Sequence, residues 1–182
     1  LKMANLKEIK NRTKSIQDTM KITNAMYMIS SSKLKRAKIK LSQTEPYFYG
    51  IQDTVGRILR HMPELRSPYF DERKEKPQEK RKMGHIVITA DKGMAGAYNH
   101  NILKASQELI DKSMFDTDYL FVVGECGRQY FERSGYNIDH AFHYTVQKPT
   151  MHRARVIAEH MIGMYLTGEI DEVHLVFTKA VN

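Results

Sequence analysis

Eleven positions near the N-terminus fall into an unbroken alternation of three and four: Leu6, Ile9, Thr13, Ile16, Met20, Thr23, Tyr27, Ser30, Leu34, Ala37 and Leu41. Residues at this spacing share one face of an α-helix. Sustained over five heptads, the pattern predicts a coiled-coil strand, and such a strand needs a second helix. Nothing else in the chain obviously covers the seam. Thr13, Thr23 and Ser30 stand where Leu or Ile would make a tight zipper. Polar and small seam residues loosen packing. That suits a helix that turns or slides against its surroundings, and it suits equally a device that sets register.

Asn5, with Glu8 three residues on, has the form of a capping box and predicts the helix start. No Gly or Pro follows until Pro46, and forty residues at about 1.5 Å each make a rod on the order of 60 Å. Pro46 is expected to kink or break it. Helical spacing resumes with Tyr47, Ile51, Val55, Ile58, Leu59 and Met62, and Pro63 ends it. The first predicted domain is therefore one long bent helix over residues 1–62. Residues 63–83 read as a flexible linker, because Pro63, Pro68 and Pro77 punctuate it and ten of the twelve residues from Asp71 to Lys82 are charged.

From Gly84 to Asn182 short apolar runs alternate with helical patterns. Strands are predicted at His85–Thr89, Tyr119–Val123 and Val173–Phe177, with a weak strand near His140–Thr145. Helices are predicted after Gly96, from Glu125 to Arg133 with Gly135 as the stop, and from a Thr150 cap to Gly168. Strand–helix alternation of this length implies βαβ crossovers. The fold class is α/β: a Rossmann-like, mostly parallel sheet domain with a long N-terminal coiled-coil helix.

Charge sharpens the division. Residues 1–43 hold eleven Lys or Arg against Glu8 and Asp18, a net +9, while the remainder is close to neutral. A basic rod on a neutral body points to one acidic groove or collar. The cluster Lys33, Lys35, Arg36, Lys38 and Lys40 also allows a basic helix that binds nucleic acid. Against that alternative, the charges surround an apolar seam and the body shows no nucleic-acid-binding signature. Mean hydropathy is −0.54 and no apolar run reaches membrane-spanning length. The Lys-rich start lacks the apolar core of a signal peptide. Leu1 and Lys2 precede Met3, which reads as the native start. The single Cys126 fits a reducing compartment.

Candidate chemistry is thin. Asp91–Gly96, after the first strand, occupies the usual ligand crevice of an α/β sheet. Its Gly93-x-x-Gly96 matches neither dinucleotide nor P-loop spacing, so it reads as a tight turn packing strand on helix. His140 and His143 lack a third ligand at useful spacing, and Cys126 has no nucleophile motif around it. Asp171 and Glu172 read as solubilising charges in a turn. No cofactor or metal is expected.

Several stretches resemble the γ subunits of F-type ATP synthases: Leu6–Arg12, Lys21-Ile-Thr-Asn-Ala-Met26, Ser32-Lys-Leu34, Thr89–Gly96 with Asn99, Gly124–Phe131, Pro149-Thr150, and Asp171–Val173 with Phe177–Lys179. Lys92 stands for the family's usual Arg, Ala95 for Cys and Ala97 for a frequent Gly. The family's long C-terminal helix has no counterpart within these residues, nor does the cysteine pair of the chloroplast form. The resemblance implies a non-catalytic central rotor shaft that couples ion flow to ATP synthesis at the β subunits. It implies partners in the α and β subunits of F1, the ε subunit and the c-ring of Fo, at the cytoplasmic face of the bacterial plasma membrane, with no span of its own. It places Lys21, Ile22, Thr23, Ala25, Met26, Lys33 and Arg36 toward the α3β3 ring. Leu6, Ile9, Ile16, Met20, Tyr27, Leu34 and Leu41 remain as seam, through which the chain is expected to self-associate when unpartnered.

Overall fold

The structure, a computed structural model, describes residues 2–71, 73, 75–115 and 117–180. Two compact units meet in sequence between Leu65 and Arg66.

The first unit is a single helix, α1 (Lys2–His61), and it does not break at Pro46. Proline removes one backbone donor and crowds the preceding turn, but its φ is already helical. Good helix formers in the preceding turns, residues 33–41, lead into it, although Gly50 and Gly56 follow. The capping box does not form either. The helix begins before Asn5, and the Glu8 carboxylate instead pairs with Arg12 at 2.7 Å, one turn on. Two of the three polar interruptions are satisfied within the helix: the hydroxyls of Thr13 and Thr23 donate to the carbonyls of Ile9 and Thr19, each at 2.9 Å. They therefore add no unmet polar group to the seam. Every described side chain from Asn5 to Thr44 is exposed.

The second unit is the predicted α/β domain. Strands β1 (Lys82–Ile88), β2 (Thr117–Val123) and β3 (Glu172–Val176) form a parallel sheet in the order β2-β1-β3. Helix α2 (Tyr98–Asp111) makes the first crossover; α3 (Glu125–Arg133) and α4 (Met151–Thr167) lie in the second. Parallel strands need such crossovers, and helices on both faces bury the central strand. One core layer joins Val87, Leu120 and Val122 to Ile102 and Leu103 of α2 and Phe131 of α3. The other joins Ile86, Phe121 and Val123 to Met161 of α4, with Phe142 and Ile170. Successive strand residues point to opposite faces, so Ile86 and Val87 divide between the two layers.

The local stop signals work as read. The Thr150 hydroxyl accepts from the Arg153 amide at the start of α4, and Gly168, in the left-handed region, ends it. The expected strand at His140–Thr145 does not form. The backbone there pairs with β2 only in isolated bridges, Leu120 to Ile138 and Val123 to Tyr144, while the Phe142 ring packs on Phe121. Asp139 Oδ1 accepts from the amides of Ala141 and Phe142 and turns the chain away from the sheet.

The charged segment before β1 is largely exposed, as a linker would be, but it is tied down at defined points. Arg73 and Lys76 both pair with Asp171, and Arg81 pairs with Glu172. Lys82 and Met83, assigned by sequence to the linker, belong to β1, and Met83 is fully buried. Asp171 is therefore no surface charge; it is 6% exposed. The cause is topological: β3 lies beside β1, so Asp171 meets the start of β1, where the Lys82 amide donates to Oδ2 at 2.8 Å.

Candidate functional site

An α-helix turns about 100° per residue. On α1, Ile22, Met26, Ile29, Lys33, Arg36 and Lys40 follow a second alternation of four and three, on a face well away from the Ile16–Met20–Tyr27 seam. Five of the seven residues assigned by resemblance to the ring surface gather there: Ile22, Met26, Lys33 and Arg36 lie on the line and Ala25 beside it. Thr23 lies on the seam. Lys21 lies on neither, and its ammonium is 3.6 Å from Asp18. Ile22, Met26 and Ile29 are all about half or more exposed, as are the seam's Ile16, Met20 and Leu34. An amphipathic helix carries one apolar stripe; α1 carries a second, shorter one. The second face also changes character along its length, from apolar at Ile22–Ile29 to basic at Lys33–Lys40. Single-period reading of the seam missed this face; scanning α1 for a second heptad line finds it.

The α/β unit shows why its crevice is a structural turn. Asp91 sits at the carboxyl end of β1, and its carboxylate accepts the amides of Glu125 (3.3 Å), Val146 (3.2 Å) and Gln147 (3.1 Å). The Glu125 amide lies in the first turn of α3, a position that elsewhere receives phosphate. Here the protein's own carboxylate fills it. Asn99 Oδ1 accepts from the Ala90 amide at 3.0 Å and holds the other side of the turn. The glycines serve close packing. A Cβ on Gly124 (φ +105°) would come within 2.3 Å of the Thr89 carbonyl oxygen, and one on Gly127 within 2.7 Å of the Thr89 side chain. Thr89 itself is buried and its hydroxyl accepts from the Gly127 amide at 2.9 Å.

Other reactive side chains stay apart. His140 and His143 lie 3.7 and 3.9 Å from Glu132 and Glu125 respectively, at the surface. Among the described residues no three His, Cys, Asp or Glu converge as metal ligands. Cys126 is half-buried and free, and its amide donates to Ala90. Sequence reading overlooked His85, hidden in the apolar run of β1 and 1% exposed. Its Nε2 lies 2.8 Å from Asp118 Oδ1, and its ring meets His174 edge-on. Burial pushes its pKa below the usual imidazole value, against the raising effect of Asp118.

A parallel α/β domain that follows a long helix with two exposed apolar stripes defines a class: an α/β protein bearing an extended N-terminal helix. The ATP synthase family model matches residues 5–182. The ATP synthase gamma chain of Ruminiclostridium cellulolyticum is 43% identical over 98% of this chain and 60% of its own length. That of Caldanaerobacter subterraneus subsp. tengcongensis is 45% identical over 95% and 58%. The sodium ion specific ATP synthase gamma chain of Acetobacterium woodii is 33% identical over 98% and 57%. The chain belongs to the ATP synthase gamma-chain family. It spans about 60% of the length of the first of these relatives.

Proposed function

We propose that the chain is the non-catalytic central-stalk rotor of an F-type ATP synthase, coupling ion translocation to ATP synthesis or hydrolysis at the β subunits. Beyond family membership, one observation supports this reading: α1 carries two separate long faces, one a loosened coiled-coil seam and one apolar then basic. A shaft needs both. The seam, Leu6 to Leu41, pairs with a second helix, and in its absence brings two copies of the chain together. The other face, with Ile22, Ala25, Met26, Lys33 and Arg36, meets the α and β subunits of the ring, while Thr23 belongs to the seam and Lys21 to neither face.

The chemistry suits a bearing that turns. Exposed charge pairs contribute roughly 0 to 1 kcal/mol each, so Lys33 and Arg36 can exchange acidic partners without locking the rod. In this reading the α/β unit lies toward the ε subunit and the c-ring, on the cytoplasmic face of the bacterial plasma membrane. No helix among the described residues is long and apolar enough to cross that membrane. No feature of these residues favours the basic-helix nucleic-acid alternative over the rotor.

Met26 is the test position. In the assembled enzyme, Met26→Glu should lower ion pumping per ATP hydrolysed while assembly persists, because a carboxylate replaces an apolar contact in the moving interface. Simultaneous measurement of proton or sodium uptake and ATP hydrolysis in inverted vesicles reads the ratio. An unchanged ratio removes Met26 from the coupling surface.

A further inference from the structure

The cations before β1 converge on one end of the sheet. Arg73 Nη1 donates to the Ile170 carbonyl at 2.9 Å and pairs with Asp171. Its Nη2 donates to the Tyr165 carbonyl, and its guanidinium stacks over the Tyr165 ring at 4.1 Å. The Tyr165 hydroxyl in turn donates to the Asp71 carbonyl. Lys76 takes the second oxygen of Asp171. Arg81 pairs with Glu172 and donates to the carbonyls of Lys76 and Arg73, each at 2.9 Å. One segment is thus fastened to the end of α4, the start of β3 and itself, with Asp171 receiving two of its cations.

Asp171 is built for this. Its side chain is only 2% exposed, against 19% for Arg73 and 35% for Lys76. A carboxylate so buried is costly unless it is paired, so the latch rests closed, and it opens only when charge is removed from Asp171 or from the cations at its more exposed rim. Apolar burial does not hold the segment: its 3-10 turn, Gln78–Lys80, contains no buried residue.

We propose that the segment held by Arg73, Lys76 and Arg81 is a charge-operated strap, latched to Asp171 and Glu172, that sets the free length of the connector between α1 and β1. Helix α1 ends at His61 and β1 begins at Lys82. With the latch open, the whole interval is free chain and reaches about 70 Å when extended; closed at Arg73, only the part before it is free, about 40 Å. Such a strap is stiff when latched and lengthens when the latch is lost. The inference stands independently of the rotor reading.

Limited digestion of the whole 182-residue chain with a glutamate-specific endoproteinase tests it. Glu75 and Glu79 lie inside the strap with exposed side chains, yet cleavage needs an extended segment and therefore an open latch. In Asp171→Asn, cutting at Glu75 and Glu79 should accelerate at least about tenfold, equivalent to about 1.4 kcal/mol of latch, while cutting elsewhere in the α/β unit stays slow. Asp171→Glu should restore part of the protection. Arg73→Gln with Lys76→Gln removes the latch from the strap side and leaves every strand residue in place, so it decides the matter if Asp171→Asn does not fold. Strap cleavage at the wild-type rate in a folded latch variant would overturn the proposal. So would strap cleavage that rises only together with cleavage throughout the unit.

Discussion

The two units of this chain treat hydrophobic side chains in opposite ways. In the α/β unit Phe121, Phe131, Met83, Val87 and Ile170 are fully buried. In α1 Leu6, Ile16, Met20 and Leu34 are more than half exposed. Helical propensity alone is marginal in water, and most helix stability in proteins comes from a packed face. The α/β unit therefore holds its own shape, whereas α1 borrows its stability from whatever completes its faces. A stability measurement on the free chain reports on the first and is nearly blind to the second.

The largest effect that sharpens this contrast is a core deletion. Phe131 is fully buried between the rings of Tyr130 and Tyr136 and packs with Val87, Leu103 and Val122. Phe131→Ala removes transfer energy and leaves a cavity, for an expected loss of about 3–5 kcal/mol. Urea unfolding followed by tyrosine fluorescence should show the midpoint collapse. A loss below about 1 kcal/mol would mean that the α/β core is not self-sufficient.

The next effect is electrostatic. Burial raises the Asp171 pKa, but Lys76, the Lys82 amide and Arg73 outweigh it and bring the carboxyl from 3.8 down to about 2. A folded-state value below the unfolded one stabilises the protein above pH 3.8 and loses that contribution as pH falls toward 2. The amount is about 2 kcal/mol. Unfolding titrations at pH 5, 3.5 and 2.5 should show this acid limb in the wild type and a flatter one in Asp171→Asn. Matching slopes would detach Asp171 from the acid sensitivity.

How much of this could be read from the chain alone depended on distance along it. Thr150 and Gly168 mark the ends of α4 because a cap and a left-handed stop are local chemistry, settled within a few residues. The role of Asp171 was hidden because its partners lie between 89 and 98 residues away. Only the order β2-β1-β3 brings them together. His140–Thr145 looked like a strand by composition, but the Asx turn at Asp139 takes it off the sheet. On α1 the seam was legible as a period. The assignment of Ile22, Met26 and Lys33 to the ring came through resemblance, and the helix adds only that they share a face. Of the two outcomes expected at Pro46, a kink or a break, the break does not occur, since one lost hydrogen bond does not outweigh sixty residues of helix.

His85 gives a smaller effect at milder pH. Its pKa is lowered chiefly by burial, with His174 adding repulsion and Asp118 opposing both. The unfolded chain therefore takes up the proton first, and stability should decline as pH falls below 6.5. Ser113 donates to the same Asp118 oxygen at 3.0 Å, so the carboxylate stays oriented throughout. Comparing wild type with His85→Gln between pH 7.5 and 5 isolates the imidazole: the variant should lose less stability across that interval than the wild type does. Equal losses would place the sensitivity elsewhere.

The smallest effect is the most discriminating for α1. Met20→Ala removes a large seam side chain that is 58% exposed. In the free, dilute chain nothing is uncovered by its loss, and alanine is the better helix former. Unfolding midpoint and helical circular dichroism should stay within about 0.5 kcal/mol of wild type. At concentrations where copies pair through the seam, or in the assembled enzyme, the same substitution removes a packed contact, and a cost of about 2–5 kcal/mol is expected instead. The test is therefore the concentration dependence of one variant, read by sedimentation alongside thermal unfolding. A large loss in the dilute monomer would mean that α1 is already covered within its own chain, and the contrast between the units would fail at its strongest point.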